Sequence, residues 1–305
     1  AEAWAALPAP RLPGWLRGRL SAAWGNAAVA RMEAAHGAAP ALDLTPRDGD
    51  APALAAAIGG RALTTGSVRL PAGTGVAALP GYATGAFWVQ DAAAALPARL
   101  TGAGPGMRLL DLCAAPGGKT MQLAAAGARV TALDASPPRR ARLEANLART
   151  GLAAEIVTAD ARSFAPGEAF DAVLVDAPCT ATGTIRRHPE LVLRDARADL
   201  PGLIRLQDEL LVAGLALTRP GGVCVFCTCS LLPEEGEARL DAALARDPAL
   251  SVVAPDLPGI DPAWRTDAGA LRIRPDHWAE AGGIDGFFIG ALRRQQGAGA
   301  GGRGP

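Results

Sequence analysis

Short apolar runs alternate with amphipathic helical patterns from about residue 107 onward. The apolar runs predict strands at 107–113, 129–133, 154–158, 172–175 and 222–228. The intervening patterns, with apolar residues three or four apart, predict helices at 120–126, 138–150 and 200–217. Strands that are apolar on both faces and alternate with helices form mainly parallel sheets covered by helices. This part of the chain is therefore predicted to adopt an α/β layer fold.

The region before this alternation has a different pattern. It is rich in Ala, Pro and Gly, with helical patterns at 16–27 and 54–58 and short strands at 41–44 and 67–70. We therefore predict a small α+β domain over 1–85, a second domain over 86–295 and a disordered tail over 296–305.

Charge and composition narrow the class of protein. The chain has 305 residues with 30 basic and 30 acidic side chains, and Lys119 is the only lysine. Zero net charge is not typical of a general nucleic-acid binder, so RNA contact would depend on local patches. The chain has no uninterrupted 18-residue apolar run and no signal-peptide pattern, which indicates a cytoplasmic protein without a membrane span. It also has no long heptad repeat, so we expect a monomer. Five cysteines, an odd number, favour reduced thiols over a disulfide framework.

The first strand-to-helix turn is a candidate cofactor site. It contains the sequence Cys113, Ala114, Ala115, Pro116, Gly117, Gly118, Lys119. It matches neither G-x-G-x-x-G nor the P-loop pattern, which disfavours a dinucleotide-dependent oxidoreductase and a kinase-like NTPase. Asp134 ends the second strand, where an acid usually binds ribose hydroxyls, and Asp160 ends the third, where it could accept an adenine amino group. The set suits S-adenosylmethionine better than NAD; the alternative is a tight turn with two helix-capping acids.

Two cysteines and a carboxylate follow neighbouring strands. Asp176 and Cys179 come after the fourth predicted strand, and Cys229 comes after the fifth. Ligands of parallel sheets bind beyond the carboxyl ends of the strands, so these side chains should face one crevice. Cys224 and Cys227 are interpreted as core residues. A zinc site is disfavoured because strand alternation puts Cys224 on the opposite face from Cys227, and we expect no metal.

Three motifs carry a family resemblance: DLCAAPGGKT, DAPCTATGTIRRHPE and TCSLLPEE. They resemble the Sun family of RNA cytosine-5 methyltransferases, most closely the bacterial RsmB type that acts on 16S ribosomal RNA. The similarity runs from about Tyr82 to the terminal strand DGFFIGALRR. It implies a Rossmann-like S-adenosylmethionine-dependent methyltransferase fold, with a mainly parallel sheet and helices on both faces. The small α+β domain precedes this fold, and we expect that domain to bind RNA.

The resemblance also assigns roles to residues. Cys229 would attack carbon 6 of cytosine, Cys179 would assist release of the product, and Asp176 would hydrogen-bond the base near ring nitrogen 3. Lys119 would approach Asp176 or the cofactor. The cofactor pocket would comprise the turn from Cys113 to Lys119 together with Asp134, Arg139, Asp160 and Asp176.

RNA contact is predicted beside the DAPC loop. Arg186, Arg187 and His188 follow that loop and precede Arg194, Arg197 and Arg205, so a cationic strip could meet the phosphates. The alternative is a solvated face on which these cations pair with Glu190, Asp195 and Asp199. Proteins of this family often carry an N-terminal helical domain resembling the antitermination factor NusB. This chain starts without Met and reaches its motifs too early to contain that domain, so we expect an N-terminal truncation.

Three alternatives to 16S ribosomal RNA methylation stay open. The first is methylation of tRNA or another RNA by the same chemistry. The second is a non-catalytic ribosome-assembly factor, which loss of a cysteine or of Asp176 would have favoured. The third is an NAD-dependent oxidoreductase, which the missing G-x-G-x-x-G disfavours.

Overall fold

The computed structural model describes residues 11–295; the tail predicted over 296–305 lies outside this range. The helices are α1 (Gly14–Trp24), α2 (Asn26–His36), α3 (Ala51–Ile58), α4 (Leu96–Leu100), α5 (Gly118–Ala125), α6 (Pro137–Thr150), α7 (Leu200–Leu217) and α8 (Glu237–Arg246). The strands are β1 (Leu42–Pro46), β2 (Arg61–Ala62), β3 (Val68–Leu70), β4 (Phe87–Val89), β5 (Arg108–Leu112), β6 (Arg129–Leu133), β7 (Glu155–Val157), β8 (Phe170–Asp176), β9 (Thr218–Thr228), β10 (Leu250–Val252), β11 (Leu271–Ile273) and β12 (Phe287–Arg294).

The large sheet confirms the α/β prediction. Its strand order is β10-β12-β9-β8-β5-β6-β7, and β11 also pairs with β12. Neighbouring strands from β7 to β9 are parallel, whereas β12 runs antiparallel to β9. The order reverses at β5, where the chain moves first to β6 and later to β8. In a sheet of this kind, a ligand crevice forms beyond the carboxyl ends of the strands on either side of the reversal.

Both faces of this sheet are buried, as its apolar strands predict. Along β9, Val225 and Cys227 pack in one apolar cluster, while Cys224 and Phe226 pack in the cluster on the other face. The alternation follows from the two-residue period of a strand. It confirms that Cys224 and Cys227 point to opposite sides, so they cannot ligate one metal ion.

The N-terminal region contains a four-stranded sheet with the order β2-β3-β1-β4. β4 pairs with β1 and carries this sheet to Val89, beyond the division placed near residue 85. Among residues 11–295, no helix is both long and apolar enough to cross a membrane.

The helical hairpin α1–α2 packs on segments that follow strands of the large sheet. Its apolar residues form one cluster with Ile185, Leu200, Leu231 and Leu232. Trp24 Nε1 also donates a hydrogen bond of 3.1 Å to the carbonyl oxygen of Leu231. The hairpin therefore supports the two loops that leave β8 and β9, which carry the candidate catalytic cysteines.

Candidate active site

The turn between β5 and α5 is held by unusual backbone geometry. The Ala115–Pro116 peptide bond is cis, and Cys113 and Gly117 have positive φ angles of 62° and 106°. A Cβ atom on Gly117 would also lie 2.5 Å from Leu143 Cδ1. Gly117 is thus required by its backbone conformation and by the close packing of α6. The first N–H groups of α5 have no partner within the helix, as at the start of any helix.

Asp134, the expected ribose acceptor, is held rigidly beside this turn. Its carboxylate accepts hydrogen bonds from the backbone N–H of Ala115 at 3.1 Å and of Ser136 at 2.9 Å. Arg139 Nη1 lies 3.4 Å from the same carboxylate, and Nη2 donates to the Ala115 carbonyl. The structure therefore brings Asp134 and Arg139 together at the cofactor turn. In this arrangement the guanidinium of Arg139 covers the carboxylate, which is only 3% exposed.

Asp160, the expected adenine acceptor, lies on the surface after β7. It forms an ion pair with Arg162 of its own loop, and Arg162 also pairs with Glu209. Its hydrogen bonds with Arg162 lower the pKa of Asp160 to about 2. An adenine amino group would have to share this carboxylate with Arg162.

Asp176 and Lys119 form an ion pair at the centre of the crevice. Lys119 Nζ lies 2.7 Å from Asp176 Oδ2, while the Cys227 thiol lies 3.4 Å from Oδ1. Burial lowers the pKa of Lys119, but Asp176, together with Cys227 and Asp111, outweighs this effect and raises it above its ordinary value. The Asp176 side chain is 33% exposed, so it can still contact a base. The structure thus brings Lys119 to Asp176, one of the two partners expected for it.

Asp111 adds a buried carboxylate beneath the turn. Thr120 Oγ1 donates a 2.6 Å hydrogen bond to Asp111 Oδ2, whereas Oδ1 is buried without a partner among residues 11–295. Burial, assisted by the charges of Asp176 and Asp134, raises the pKa of Asp111 to about 7. A pocket with surplus carboxylates and an unpaired buried acceptor fits a ligand that carries positive charge, such as the sulfonium and ammonium groups of S-adenosylmethionine.

The two candidate catalytic thiols meet at the ends of β8 and β9. The Sγ atoms of Cys179 and Cys229 are 3.5 Å apart, and both residues are partly exposed. The hydrogen bond with Cys229, together with burial, raises the pKa of Cys179 well above its ordinary value. The pair therefore combines a protonated thiol with a second thiol that is open to a substrate.

The remaining cysteines have structural surroundings. Cys224 and Cys227 are fully buried, and burial raises the pKa of both thiols. Burial also raises the pKa of Cys113 to about 12, so this thiol stays protonated beside the cofactor turn. Within residues 11–295, no group of His, Cys, Asp or Glu side chains has the arrangement of a metal site.

The predicted RNA-binding strip requires a correction at Arg186 and Arg187. Arg186 is buried against Asp91 and Asp285, and Arg187 pairs with the same two carboxylates. Their guanidinium groups are committed to this buried cluster and do not form a surface for phosphates. Only His188 of the three is exposed, and its Nδ1 lies 3.2 Å from Glu190.

The later arginines of the strip are exposed but paired. Arg194 contacts Asp199 and Arg197 contacts Asp195, as in the alternative of a solvated, charge-paired face. Arg205 is also exposed, on α7. Exposed pairs of this kind are weak and can exchange partners.

Two residues of the site, Glu235 and Gly183, were given no role from the sequence. Glu235 is completely buried and binds the residues that follow both cysteines. Gly183 donates its backbone N–H to the Cys229 carbonyl oxygen at 2.9 Å. Glu235 belongs to the TCSLLPEE motif and Gly183 to the DAPC motif, so their position in these motifs was the available signal.

The chain is similar to known methyltransferases. It is 42% identical over 227 residues to the small-subunit ribosomal RNA methyltransferase B of Pseudomonas putida, a match that covers 71% of this chain and 49% of the relative. The chain thus spans about half the length of this relative. A solved methyltransferase homolog from Pyrococcus horikoshii is 26% identical, with a TM-score of 0.75, over 91% of this chain and 93% of that chain. NSun6 from Pyrococcus horikoshii, solved with SFG, is 27% identical, with a TM-score of 0.62, over 75% of this chain and 59% of that chain.

A family model described as 16S rRNA methyltransferase RsmB/F matches residues 103–293, well over half of the chain. The match covers the cofactor turn, both cysteine loops and all but the last residue of strand β12. It confirms the resemblance that the three motifs carry. The chain belongs to the 16S rRNA methyltransferase RsmB/F family.

Proposed function

We propose that this chain transfers a methyl group from S-adenosylmethionine to carbon 5 of a cytosine in RNA. The observation that carries the proposal is the approach of Cys179 and Cys229 to 3.5 Å beside the Asp176–Lys119 pair. The family match and the names of its relatives support 16S ribosomal RNA as the substrate. The proposed substrate in turn supports a cytoplasmic site of action.

Residues of the crevice would hold the cofactor. The turn from Cys113 to Lys119 and the carboxylate of Asp134 surround the place where the ribose and the amino acid part would bind. S-adenosylmethionine would supply an electrophilic methyl group there. The binding of SFG, an S-adenosylmethionine analogue, by the Pyrococcus horikoshii relative supports this choice. Arg139 must shift away from Asp134 for the ribose hydroxyls to reach the carboxylate.

Carbon 5 of cytosine is a poor nucleophile and must be activated. In the proposed reaction, the Cys229 thiolate adds to carbon 6, and the ring electrons move so that carbon 5 can bond to the methyl group. Asp176 accepts a hydrogen bond from the amino group of the base, or from ring nitrogen 3 once that nitrogen has taken a proton from solvent, and Lys119 keeps this carboxylate oriented. The leaving group of the methyl transfer is S-adenosylhomocysteine. Carbon 5 then gives its proton to water, the electron pair of that bond re-forms the ring double bond, Cys229 leaves as a thiolate, and ring nitrogen 3 returns its proton to solvent. Cys179 assists this release from its position beside the Cys229 sulfur.

The target cytosine must leave its base stack, because the side chains of Cys229 and Asp176 cannot reach its ring inside an RNA helix. The exposed His188, Arg194, Arg197 and Arg205 are the part of the strip that stays available for phosphates. We propose that these side chains and the N-terminal region contact the RNA.

Replacement of Cys229 tests the nucleophile. Cys229→Ala should abolish transfer of radiolabelled methyl groups to 16S ribosomal RNA, while calorimetry should show S-adenosylmethionine binding within about 3-fold of wild type. Cys224→Ala is a matched control, because it removes a thiol from β9 on the face opposite to the site and should retain activity. Full activity of Cys229→Ala would refute the assignment.

Replacement of Cys179 tests product release. Cys179→Ala should accumulate a covalent protein–RNA complex that survives a denaturing gel and disappears when Cys229 is also replaced. Absence of the complex with an active RNA substrate would exclude the release role. Bisulfite sequencing of ribosomal RNA and tRNA, from cells with and without the protein, would identify the methylated base and distinguish the two substrates.

A further inference from the structure

The carboxylate of Glu235 lies beneath both cysteine turns. It ends a short 3₁₀ turn, Pro233–Glu235, that follows β9, and its side chain is fully buried. Among residues 11–295, no Lys, Arg or His forms an ion pair with it, although its neighbour Glu234 pairs with Arg19 at the surface. A buried carboxylate without a counter-ion is costly unless hydrogen bonds stabilise it.

Four donors provide that stabilisation. Glu235 Oε1 accepts from the backbone N–H of Thr180 and from Gln207 Nε2, each at 2.9 Å. Oε2 accepts from Ser230 Oγ at 2.6 Å and from Thr180 Oγ1. Both oxygens are therefore saturated by donors from three separate segments of the chain.

Two of these segments carry the candidate catalytic thiols. Thr180 follows Cys179 directly, and Ser230 follows Cys229 directly. The turns are 50 residues apart in the chain, and one carboxylate binds both. The Thr228 hydroxyl also donates to the Glu235 carbonyl oxygen at 2.9 Å, so the end of β9 is fixed to the same residue.

We propose that Glu235 is a positioning residue that holds the Cys179 and Cys229 turns in register, so that both thiols face the same base. The inference rests on the proposed function in one respect, namely that the two cysteines are catalytic. A misplacement of about 1 Å can reduce the rate of an enzyme about 100-fold, so the spacing of the thiols is itself a catalytic requirement.

The charge of Glu235 adds a second, supporting effect. The groups that set the pKa of Cys179 are Cys229, burial, Glu235 and the backbone N–H of Ala181. All except the Ala181 N–H raise it. Glu235 therefore helps to keep Cys179 protonated, while Cys229 is left to serve as the nucleophile.

Disulfide formation with diamide measures the register of the thiols directly. Diamide accepts one hydrogen from each thiol and becomes the hydrazine, while Cys179 and Cys229 form a disulfide that peptide mapping identifies without reduction. Glu235→Ala should form this disulfide at least 10-fold more slowly than wild type. Glu235→Gln should stay within about 3-fold, because its amide oxygen can accept from Thr180 and Gln207 while its amino group donates to the two hydroxyls. Glu234→Ala, the matched control, should react at the wild-type rate.

Methyl transfer provides the second measurement. Glu235→Ala should lose about 100-fold in kcat with the KM for S-adenosylmethionine unchanged, and Glu235→Gln should recover most of that loss. If Glu235→Ala does not fold, Ser230→Ala and Thr180→Val each remove one hydroxyl link, and each should slow the disulfide severalfold.

The outcomes separate this proposal from the proposed function. A wild-type disulfide rate in folded Glu235→Ala would overturn the positioning role, even if RNA methylation is confirmed. Rapid disulfide formation by the wild-type protein and slow formation by Glu235→Ala would support the positioning role, even if no RNA is methylated.

Discussion

The ion pair between Lys119 and Asp176 permits a quantitative test of how strongly these two side chains stabilise each other in the crevice. Its atoms are 2.7 Å apart, and the side chains are 9% and 33% exposed. Coulomb's law with an effective dielectric constant of about 20 gives roughly 6 kcal/mol of attraction at this separation. Desolvation of the ammonium group and solvent screening at Asp176 offset much of it. We therefore expect a net coupling of about 2 kcal/mol.

Lys119→Met removes the charge but retains the apolar stem that packs near Phe287, whose ring centroid is 5.3 Å from Nζ. Asp176 would then lack a cation in a crevice that also contains Asp111. The free energy of unfolding at pH 7 should fall by about 3 kcal/mol. The pKa of Lys119 is raised above its ordinary value, so the lysine stays protonated and its contribution to stability is fully present at neutral pH. The deficit should thus be the same at pH 6 and pH 8.

A double-mutant cycle in urea isolates the pair. Lys119→Met, Asp176→Asn and the double variant should show a coupling free energy of about 2 kcal/mol at pH 7. Additive losses within about 0.5 kcal/mol, or a Lys119→Met deficit that disappears between pH 8 and pH 6, would refute the reasoning.

Two further predictions concern buried parts of the site. The pKa of Asp111 is raised to about 7, so folding takes up a proton and this carboxyl lowers stability as pH rises from about 4 to 7. Urea denaturation should therefore give Asp111→Asn a free energy of unfolding about 1–3 kcal/mol higher than that of wild type at pH 8, and nearly the same value at pH 4. An equal difference at both pH values would contradict this. A Cβ atom on Gly183 would lie 2.1 Å from the Gly286 carbonyl oxygen and 2.8 Å from that of Cys229. Thermal unfolding should therefore show that Gly183→Ala lowers the free energy of unfolding by about 2 kcal/mol or more, and the variant should also transfer methyl groups more slowly. The control Gly202→Ala, within helix α7, should raise the free energy of unfolding by about 0.5–1 kcal/mol. Unchanged stability of Gly183→Ala would show that the loops are not tightly packed.

The strands and helices of the large sheet could be predicted from the sequence because their apolar pattern is local. The strand at 129–133 and the helix at 200–217 have the predicted bounds. The predicted strand at 222–228 begins earlier, at Thr218. There the Pro220-Gly221-Gly222 sequence marks an irregularity within the strand: Phe170 pairs with Thr218, and pairing resumes between Ala172 and Val223. The Pro-Gly-Gly sequence therefore shortened the strand predicted from the apolar pattern, although strand β9 of the structure continues through it.

Charged residues were harder to interpret, because their partners are distant in the chain. Arg186 and Arg187 lie next to His188 in the sequence, and this run of cations predicted a nucleic-acid-binding surface. Their partners, Asp91 and Asp285, precede and follow them by about 100 residues and meet them only when the loops fold together. No local signal distinguishes a buried arginine from one on the surface.

The sequence by itself determined the fold class, the crevice at the strand ends and the candidate chemical groups. These follow from strand and helix periodicity and from motifs that are contiguous in the chain. Only the tertiary structure decided which groups touch. It placed Lys119 on Asp176, set Cys179 against Cys229, buried Arg186, paired Arg187 with the same two carboxylates and put the Glu235 carboxylate beneath both cysteine turns. Contacts of this kind depend on the packing of segments far apart in sequence, where hydrogen bonding and burial, rather than residue type, determine what each side chain can do.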